Sequence, residues 1–224
     1  MTTATNETPS RRCQDRLIVE MIERGARVLD LGCGAGELLQ RLKREKQVRG
    51  RGVEIDPDNI IRCIERGLAV IQGDLDEGLA EFGNLTYDWV LLSQTLQVVH
   101  KPALVLREML RVGRRAIVSF PNFGYWRVRL QLALGGRMPT TAAIPYSWHE
   151  SPNIHHLTIA DFRSFCNEMN VEILSEIPIA HGRARKGWPW ANFLAEEVLF
   201  VLTAKKPPTE AEAAAQTWER TDKA

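Results

Sequence analysis

The chain has 224 residues, of which 44% are apolar and 25% are charged, and its formal net charge is +1 at pH 7. This length and composition are typical of one globular domain, and the balanced charge gives no reason to expect nucleic acid or a membrane surface as a partner. No apolar run reaches the roughly 18 residues that span a bilayer, and the polar N-terminus lacks the apolar stretch of a signal peptide. Four scattered cysteines indicate neither a disulfide framework nor a zinc site, so we expect a reducing cytoplasm.

Strand and helix patterns alternate through the first half of the chain. Residues 1–16 are mostly polar and predict a disordered tail, and Leu17 begins the apolar spacing of a first helix. A helix is also predicted after the second strand, with Ile60, Ile61 and Ile64 facing inward. The predicted strands span residues 27–31, 51–55, 68–72, 88–92 and 115–120, with one helix ending near residue 46 and another over residues 102–112.

Residues 121–157 interrupt this alternation. They combine several prolines, two adjacent glycines and many aromatic side chains, and this mixture predicts a lid or insertion after the fifth strand. Thr158 and Asp161 then form a capping-box pattern that begins a helix to about Met169. Because strands alternate with helices and strands close the chain, we expect a doubly wound α/β domain over residues 17–205. Its closing strands span residues 171–177 and 196–203, and a polar C-terminal tail covers residues 206–224.

The connection after the first strand is rich in glycine and indicates a cofactor site. Gly32, Gly34 and Gly36 follow the strand, but Glu37 stands where a dinucleotide-binding turn has its last glycine, and Asp30 precedes the turn. Two carboxylates beside the turn would repel a pyrophosphate, and they favour a ligand that has a positive group and no phosphate. S-adenosylmethionine, with its ammonium and sulfonium groups, is such a ligand.

The ends of the next three strands fit the same ligand. Glu54 ends the second strand, where a carboxylate can accept hydrogen bonds from both ribose hydroxyls of an adenosine, and Ile55 could pack on the adenine. Asp74 follows the third strand and can meet the exocyclic amine of the adenine. Ser93 ends the fourth strand, below the expected methionine part of the ligand.

Together these motifs resemble those of class I S-adenosylmethionine-dependent methyltransferases over residues 27–120. The resemblance implies a Rossmann-like, seven-stranded sheet with an antiparallel last strand. It also implies that S-adenosylmethionine or S-adenosylhomocysteine is the cofactor. The implied contacts are Asp30 and the turn from Gly32 to Gly36 for the methionine part, with Cys33 as a small buried side chain in that turn, Glu54 for the ribose, and Asp74 with Leu75 for the adenine.

A longer match, from about Leu17 to Lys205, resembles the MetW family of methionine biosynthesis proteins. It includes the lid, and the most distinctive segments are the stretch after the fourth strand and the sequence PNFGYW that begins at Pro121. The family implies a partner, homoserine O-acyltransferase of the MetX type, whose activity MetW-like proteins support. The matching segments are VLDLGCGAGELL, GVEID, QGDLDEGL, LSQTLQ and SFPNFGYWRVRLQLALGGRMP.

The catalytic half of a methyltransferase is poorly marked. Many enzymes of this shape carry a histidine after the fourth strand, whereas this chain has Gln97 there and His100 three residues on. Glutamine cannot act as a base. The Asn/Asp-Pro-Pro-aromatic signature of amino-group methylation is also absent, since Ser93 and Gln94 occupy its place. We therefore expect an accessory protein that binds the cofactor and the acyltransferase, and an active methyltransferase on a small molecule is the alternative.

Two other clusters have weaker interpretations. The run Arg183-Ala-Arg185-Lys186 could bind RNA, but a solvated loop anchored by Trp188 and Trp190 is the simpler explanation. The spacing of His149, His155, His156 and Asp161 matches no known set of metal ligands, so no metal site is predicted.

Overall fold

The computed structural model describes residues 9–205, and within this range eight strands form one mixed sheet. The strand order is β3-β2-β1-β4-β5-β8-β6-β7; neighbouring strands from β3 to β5 are parallel, and β8 is antiparallel to both β5 and β6. The strands are β1 Arg27–Leu31, β2 Arg49–Glu54, β3 Ala69–Gln72, β4 Tyr87–Ser93, β5 Gly113–Pro121, β6 Val171–Ala180, β7 Arg183–Ala184 and β8 Glu197–Ala204.

Helices cover both faces of the sheet, as expected for strands that are apolar on both sides. Apolar residues of the first three helices pack on one face, together with Trp89 and Ile117 of the sheet. The fourth and sixth helices pack on the other face, where Phe120, Phe162 and Phe200 form an aromatic cluster. The helices are α1 Pro9–Met21, α2 Glu37–Lys46, α3 Pro57–Glu65, α4 Pro102–Val112, α5 Trp126–Gly135, α6 Ile159–Glu168 and α7 Ala191–Leu194.

The sequence predicted this architecture correctly. The parallel part of the sheet, the antiparallel last strand and the capping box formed by Thr158 and Asp161 are all present. The expected count of seven strands differs by the short β7, which pairs with the end of β6 through only two residue pairs. Two residues carry no periodic pattern, so hydrophobic spacing could not reveal this strand.

The expectation of a disordered tail over residues 1–16 was wrong for the part that the structure describes. Helix α1 begins at Pro9, which has no backbone N–H to leave unpaired in a first turn. Cys13 and Gln14 of this segment are buried against the sheet, so tertiary packing orders a stretch that looks polar in sequence. Residues 1–8 and the predicted tail at 206–224 lie outside the described range.

The predicted inward face of the helix after β2 was also wrong. Ile61 and Ile64 of α3 are 54% and 61% exposed, and Cys63 is the residue of this helix that is fully buried. The physical reason is that α3 packs beside β3, the edge strand, where a narrow contact through one small side chain is sufficient. The isoleucines therefore form part of the surface.

The segment after β5 contains one regular helix, α5, and is otherwise irregular. Tyr125, Val128 and Ile144 form a small separate core inside it. Asn122 fixes its first residues, because its amide donates to the carbonyl oxygens of Asn192 and Ala195 at 3.1 and 2.8 Å. Among the described helices, none is long and apolar enough to cross a membrane.

Candidate functional site

The parallel strands end at a common edge of the sheet, and a cleft of about 350 Å³ lies there. We call it the adenosine cleft, after the ligand part that the sequence predicts for it. The register aligns Leu31 with Val53 and Glu54 with Gln72, so the loops after β1, β2 and β3 reach the same place. The predicted site residues that line the cleft are Gly32, Glu54, Ile55, Asp74 and Leu75.

Glu54 is the best-anchored carboxylate of this cleft and is only 8% exposed. Its Oε2 accepts a hydrogen bond from the backbone N–H of Gly34 at 2.7 Å, and its Oε1 accepts from the N–H groups of Ile55 and Asp56 at 3.0 Å each. A carboxylate offers about four acceptor positions, so about one is left for a ligand. Binding of both ribose hydroxyls would therefore need the Gly34 N–H to move away from Glu54.

The three glycines of the turn have different roles, although all adopt positive φ angles. Gly32 and Gly34 line the cavities of this edge, and a Cβ added at Gly34 would meet no atom within 4 Å. At Gly36 an added Cβ would lie 2.4 Å from Leu68 Cδ1 and 2.8 Å from Cys63 Sγ. Gly36 thus permits close packing of α2 on its neighbours, and it lines neither cavity.

A smaller cavity of about 80 Å³ continues from the turn towards α1, and we call it the methionine-side cavity. It is lined by Asp30, Cys33, Gly34 and Ser93, all predicted site residues. Burial raises the pKa of the Cys33 thiol, and its Sγ lies 3.9 Å from the Sγ of Cys63. This thiol is therefore a packing group rather than a nucleophile.

Asp30 is a buried ionisable group in the lining of the methionine-side cavity. Its side chain is fully buried, and this desolvation, followed by the charges of Asp15 and Glu54, raises its pKa to about 7. Arg11 acts in the opposite direction. A ligand that brings a positive group to this carboxyl would favour its ionised form.

Helix α1 supplies site residues that the sequence did not reveal. Arg11 and Asp15 line the methionine-side cavity. Between them in sequence, Gln14 donates from Nε2 to the hydroxyls of Ser93 and Ser119 at 2.8 and 2.7 Å, so α1 is fixed across the ends of β4 and β5. No local pattern could have identified these residues, because their role depends on where the helix packs.

The two aspartates after β3 have separate tasks. Asp74 is exposed at the cleft and accepts from the N–H of Asp76 at 2.9 Å, which caps a single 3₁₀ turn. Asp76 accepts from the N–H groups of His100 and Lys101 at 2.9 and 2.6 Å. These bonds hold the loop after β4 against the adenosine cleft, and they place His100 in its lining.

In the loop after β4, the position at which many methyltransferases carry a histidine holds the buried amide of Gln97. Gln97 is 5% exposed, and its Nε2 donates to the carbonyl oxygen of Gln94 at 2.8 Å. Elsewhere in residues 9–205, no group of three or more His, Cys, Asp or Glu side chains is arranged to hold a metal ion. In the basic cluster, the Arg185 guanidinium lies 5.0 Å above the ring of Trp188, which places it on an aromatic face of the protein's own loop.

Solved structures support the same fold. An S-adenosylmethionine-dependent methyltransferase of Thermotoga maritima aligns with a TM-score of 0.63 at 17% identity, over 85% of this chain and 87% of that one. The Burkholderia thailandensis 1,6-didemethyltoxoflavin-N1-methyltransferase, solved with S-adenosylhomocysteine, aligns with a TM-score of 0.60 at 15% identity, over 90% of this chain and 80% of that one. At such identities the likeness establishes a class I methyltransferase fold and leaves the reaction open.

Sequence comparison gives the family. The chain is 40% identical over 169 residues to the bifunctional methionine biosynthesis protein MetXA/MetW of Rhodopirellula baltica. The match covers 71% of this chain but only 27% of that larger protein. The family model for methionine biosynthesis protein MetW matches residues 12–202, which include α1 from its fourth residue on, the cleft and the lid. The chain therefore belongs to the MetW family, on a methyltransferase fold.

Proposed function

We propose that the protein binds S-adenosylmethionine or S-adenosylhomocysteine across the adenosine cleft and the methionine-side cavity. Glu54 would hold the ribose, and Asp74 with Leu75 would contact the adenine. The charges support the methionine end: the buried Asp30 suits an ammonium group, and Arg11 in the same cavity suits a carboxylate. When bound, S-adenosylmethionine would supply a transferable methyl group, whereas S-adenosylhomocysteine is the product that remains after transfer.

We further propose that the protein, with its cofactor bound, acts as an accessory subunit of a homoserine O-acyltransferase. The observation that carries this proposal is the Rhodopirellula baltica relative, whose name joins MetXA and MetW in one chain. Fusion of two modules keeps them at high effective concentration, which is useful when they work together. A separate MetW chain would need an interface of its own to obtain the same association.

The cofactor would then report the state of the pathway to the acyltransferase. The complex with the acyltransferase and the free chain would differ in their affinity for the cofactor. Cofactor binding then changes the affinity of this chain for the acyltransferase by the same factor. The cofactor derives from methionine, the end product, so its level is a suitable signal.

The test is homoserine acylation by the acyltransferase of the same organism, measured at fixed enzyme concentration with and without this protein. We expect a several-fold rise in rate on addition, and a change in that rise when S-adenosylmethionine or S-adenosylhomocysteine is titrated in. The same titration with the Glu54→Gln protein should need a higher cofactor concentration. An acylation rate that ignores the added protein would refute the accessory role.

The alternative function is methyl transfer to a small molecule. The observation in its favour is a cavity under the lid. Val98 lines both this cavity and the adenosine cleft, and Gln97, from the loop after β4, also lines the cavity. Transfer of a labelled methyl group from S-adenosylmethionine to a component of a cell extract, lost in the Glu54→Gln protein, would establish it. Full acyltransferase activation without any labelled product would favour the accessory role.

A further inference from the structure

A cavity of about 430 Å³ lies under the lid segment, and we call it the lid cavity. Pro121, Pro145 and Tyr146 form part of its wall. It shares Val98 with the adenosine cleft and Arg11 with the methionine-side cavity. The lid cavity therefore adjoins both halves of the proposed cofactor site, although it is a separate space.

Two buried oxygen atoms that lack hydrogen-bond donors belong to residues that line the lid cavity. Gln97 is 5% exposed and Glu197 is 3% exposed, and neither Oε1 of Gln97 nor Oε2 of Glu197 has a partner among the described residues. The amide of Gln97 is held in this orientation, because its Nε2 donates to Gln94. Buried acceptors are nearly always paired, so unpaired ones on residues that line a cavity indicate where a ligand would donate.

The charges around Glu197 favour a positive ligand group. Burial raises the pKa of Glu197 to about 7, and the neighbouring carboxylates of Glu196 and Asp15 act in the same direction. Arg11 opposes them, but it is the single cation among these influences. A cation placed beside Glu197 would favour its ionised form and so offset the effect of burial.

We propose that the lid cavity is a second ligand site, for small amines in their protonated form. The ammonium group would donate to Oε2 of Glu197, a further donor of the ligand would reach Oε1 of Gln97, and the apolar part would lie against Tyr146 and the prolines. The proposal goes beyond the cofactor and the acyltransferase, and it does not require methyl transfer.

The binding test uses tyramine, which carries an ammonium group, an apolar ring and a second donor. Its controls are the neutral alcohol 4-(2-hydroxyethyl)phenol and the anion 3-(4-hydroxyphenyl)propanoate. With the full chain saturated with S-adenosylhomocysteine, we expect calorimetry to give an affinity for tyramine at least tenfold above that of either control. Equal affinity for the amine and the alcohol, or no binding of tyramine, would overturn the proposal.

Variants then locate the site. Glu197→Gln keeps the size of the side chain and should reduce the preference for tyramine to less than threefold, with unchanged affinity for S-adenosylhomocysteine. Glu172→Gln, at an exposed carboxylate of β6, is the matched control and should keep the preference. Ala142→Trp adds bulk at an exposed position of the cavity wall and should weaken tyramine binding without altering the core.

The outcomes separate this proposal from the proposed function. If S-adenosylhomocysteine does not bind but the preference for tyramine persists and depends on Glu197, the amine site stands and the cofactor site fails. If both Glu197→Gln and Ala142→Trp keep full tyramine binding, the amine binds elsewhere and the proposal is wrong.

Discussion

Glu54 organises the glycine turn as well as the adenosine cleft, because three backbone N–H groups donate to its carboxylate. Glu54→Gln keeps the shape of the side chain but removes its charge and one acceptor. We expect the affinity for S-adenosylhomocysteine to fall by about tenfold to hundredfold, since a hydrogen bond to a charged group contributes about 1.5–3 kcal/mol. Isothermal titration calorimetry measures this loss. The exposed Glu65 offers the control Glu65→Gln, and an equal affinity of both variants would contradict the assigned role.

Asp30 should make the stability of the protein depend on pH. Its pKa is near 3.8 in the unfolded chain and about 7 in the fold. Between these values the folded state holds more protons, so the free energy of unfolding decreases as pH rises, by at most about 4 kcal/mol. Asp30→Asn removes this contribution, and we expect urea unfolding to give a smaller loss of stability from about pH 5 to about pH 8 than in the wild type.

Glu197 titrates in the same direction, because its pKa is also raised to about 7. The Asp30→Asn protein should therefore keep a part of the pH dependence, and only the difference between variant and wild type belongs to Asp30. Asp58→Asn, at an exposed carboxylate of α3, should reproduce the wild-type pH profile. An Asp30→Asn profile that overlays the wild-type profile would show that folding does not raise the pKa of Asp30.

The sequence predicted the placement of individual site residues where strand ends determine it. Asp30 and Glu54 lie at the ends of parallel strands and Asp74 follows one, and such ends meet at one edge whatever the rest of the chain does. Arg11 of the methionine-side cavity and Glu197 of the lid cavity were missed because each comes from a distant part of the sequence. Their positions depend on tertiary packing, which local spacing does not encode.

At the scale of elements, α1 is fixed to the sheet by Gln14, which is fully buried. Besides its two bonds to serine hydroxyls, its Oε1 accepts from Nε2 of Gln94 at 3.0 Å. Gln14→Leu would leave buried groups unpaired, so we expect the free energy of unfolding to fall by about 1–3 kcal/mol. Because α1 lines the methionine-side cavity, affinity for S-adenosylhomocysteine should fall as well.

The control for this prediction is Gln40→Leu, at an exposed position of α2. A surface substitution of this kind should change stability by no more than about 0.5 kcal/mol. Urea unfolding and calorimetry on both variants provide the comparison. If Gln14→Leu behaves like Gln40→Leu, α1 is held by its apolar residues alone.

Element boundaries followed from the sequence for two elements with a broad buried face, whereas β5 and β6 extend beyond their predicted ranges. Strand β1 and helix α4 begin and end where the pattern places them, since both pack on a broad apolar surface. The same reasoning failed for α3, which lies beside an edge strand, and for the start of α1, whose polar residues are buried through hydrogen bonds. Hydrophobic spacing identifies a buried face only where the core is wide enough to cover it.

At the scale of the whole molecule, the exposed apolar side chains are concentrated on the lid. Leu130, Leu132, Leu134 and Met138 are 47–79% exposed, on or just after α5. Residues two apart on a helix point in different directions, so α5 exposes apolar side chains on more than one side. Such an apolar segment, unlike scattered single side chains, is typical of an interaction surface. Under the proposed accessory role, this surface is the expected site of contact with the acyltransferase.

Leu132→Lys tests this surface, with Ile61→Lys on α3 as the matched control, because the two side chains are 51% and 54% exposed. A charge placed in this apolar segment should weaken association with the acyltransferase by at least about tenfold, or about 1.4 kcal/mol. Sedimentation of mixtures of the two proteins measures the affinity. Leu132→Lys should leave binding of S-adenosylhomocysteine unchanged, since this residue lines neither part of the cofactor site. If Ile61→Lys weakens the association and Leu132→Lys does not, the partner docks on α3, beside the adenosine cleft. The effect of cofactor binding on the partner would then be transmitted through β2 and β3 rather than through the lid.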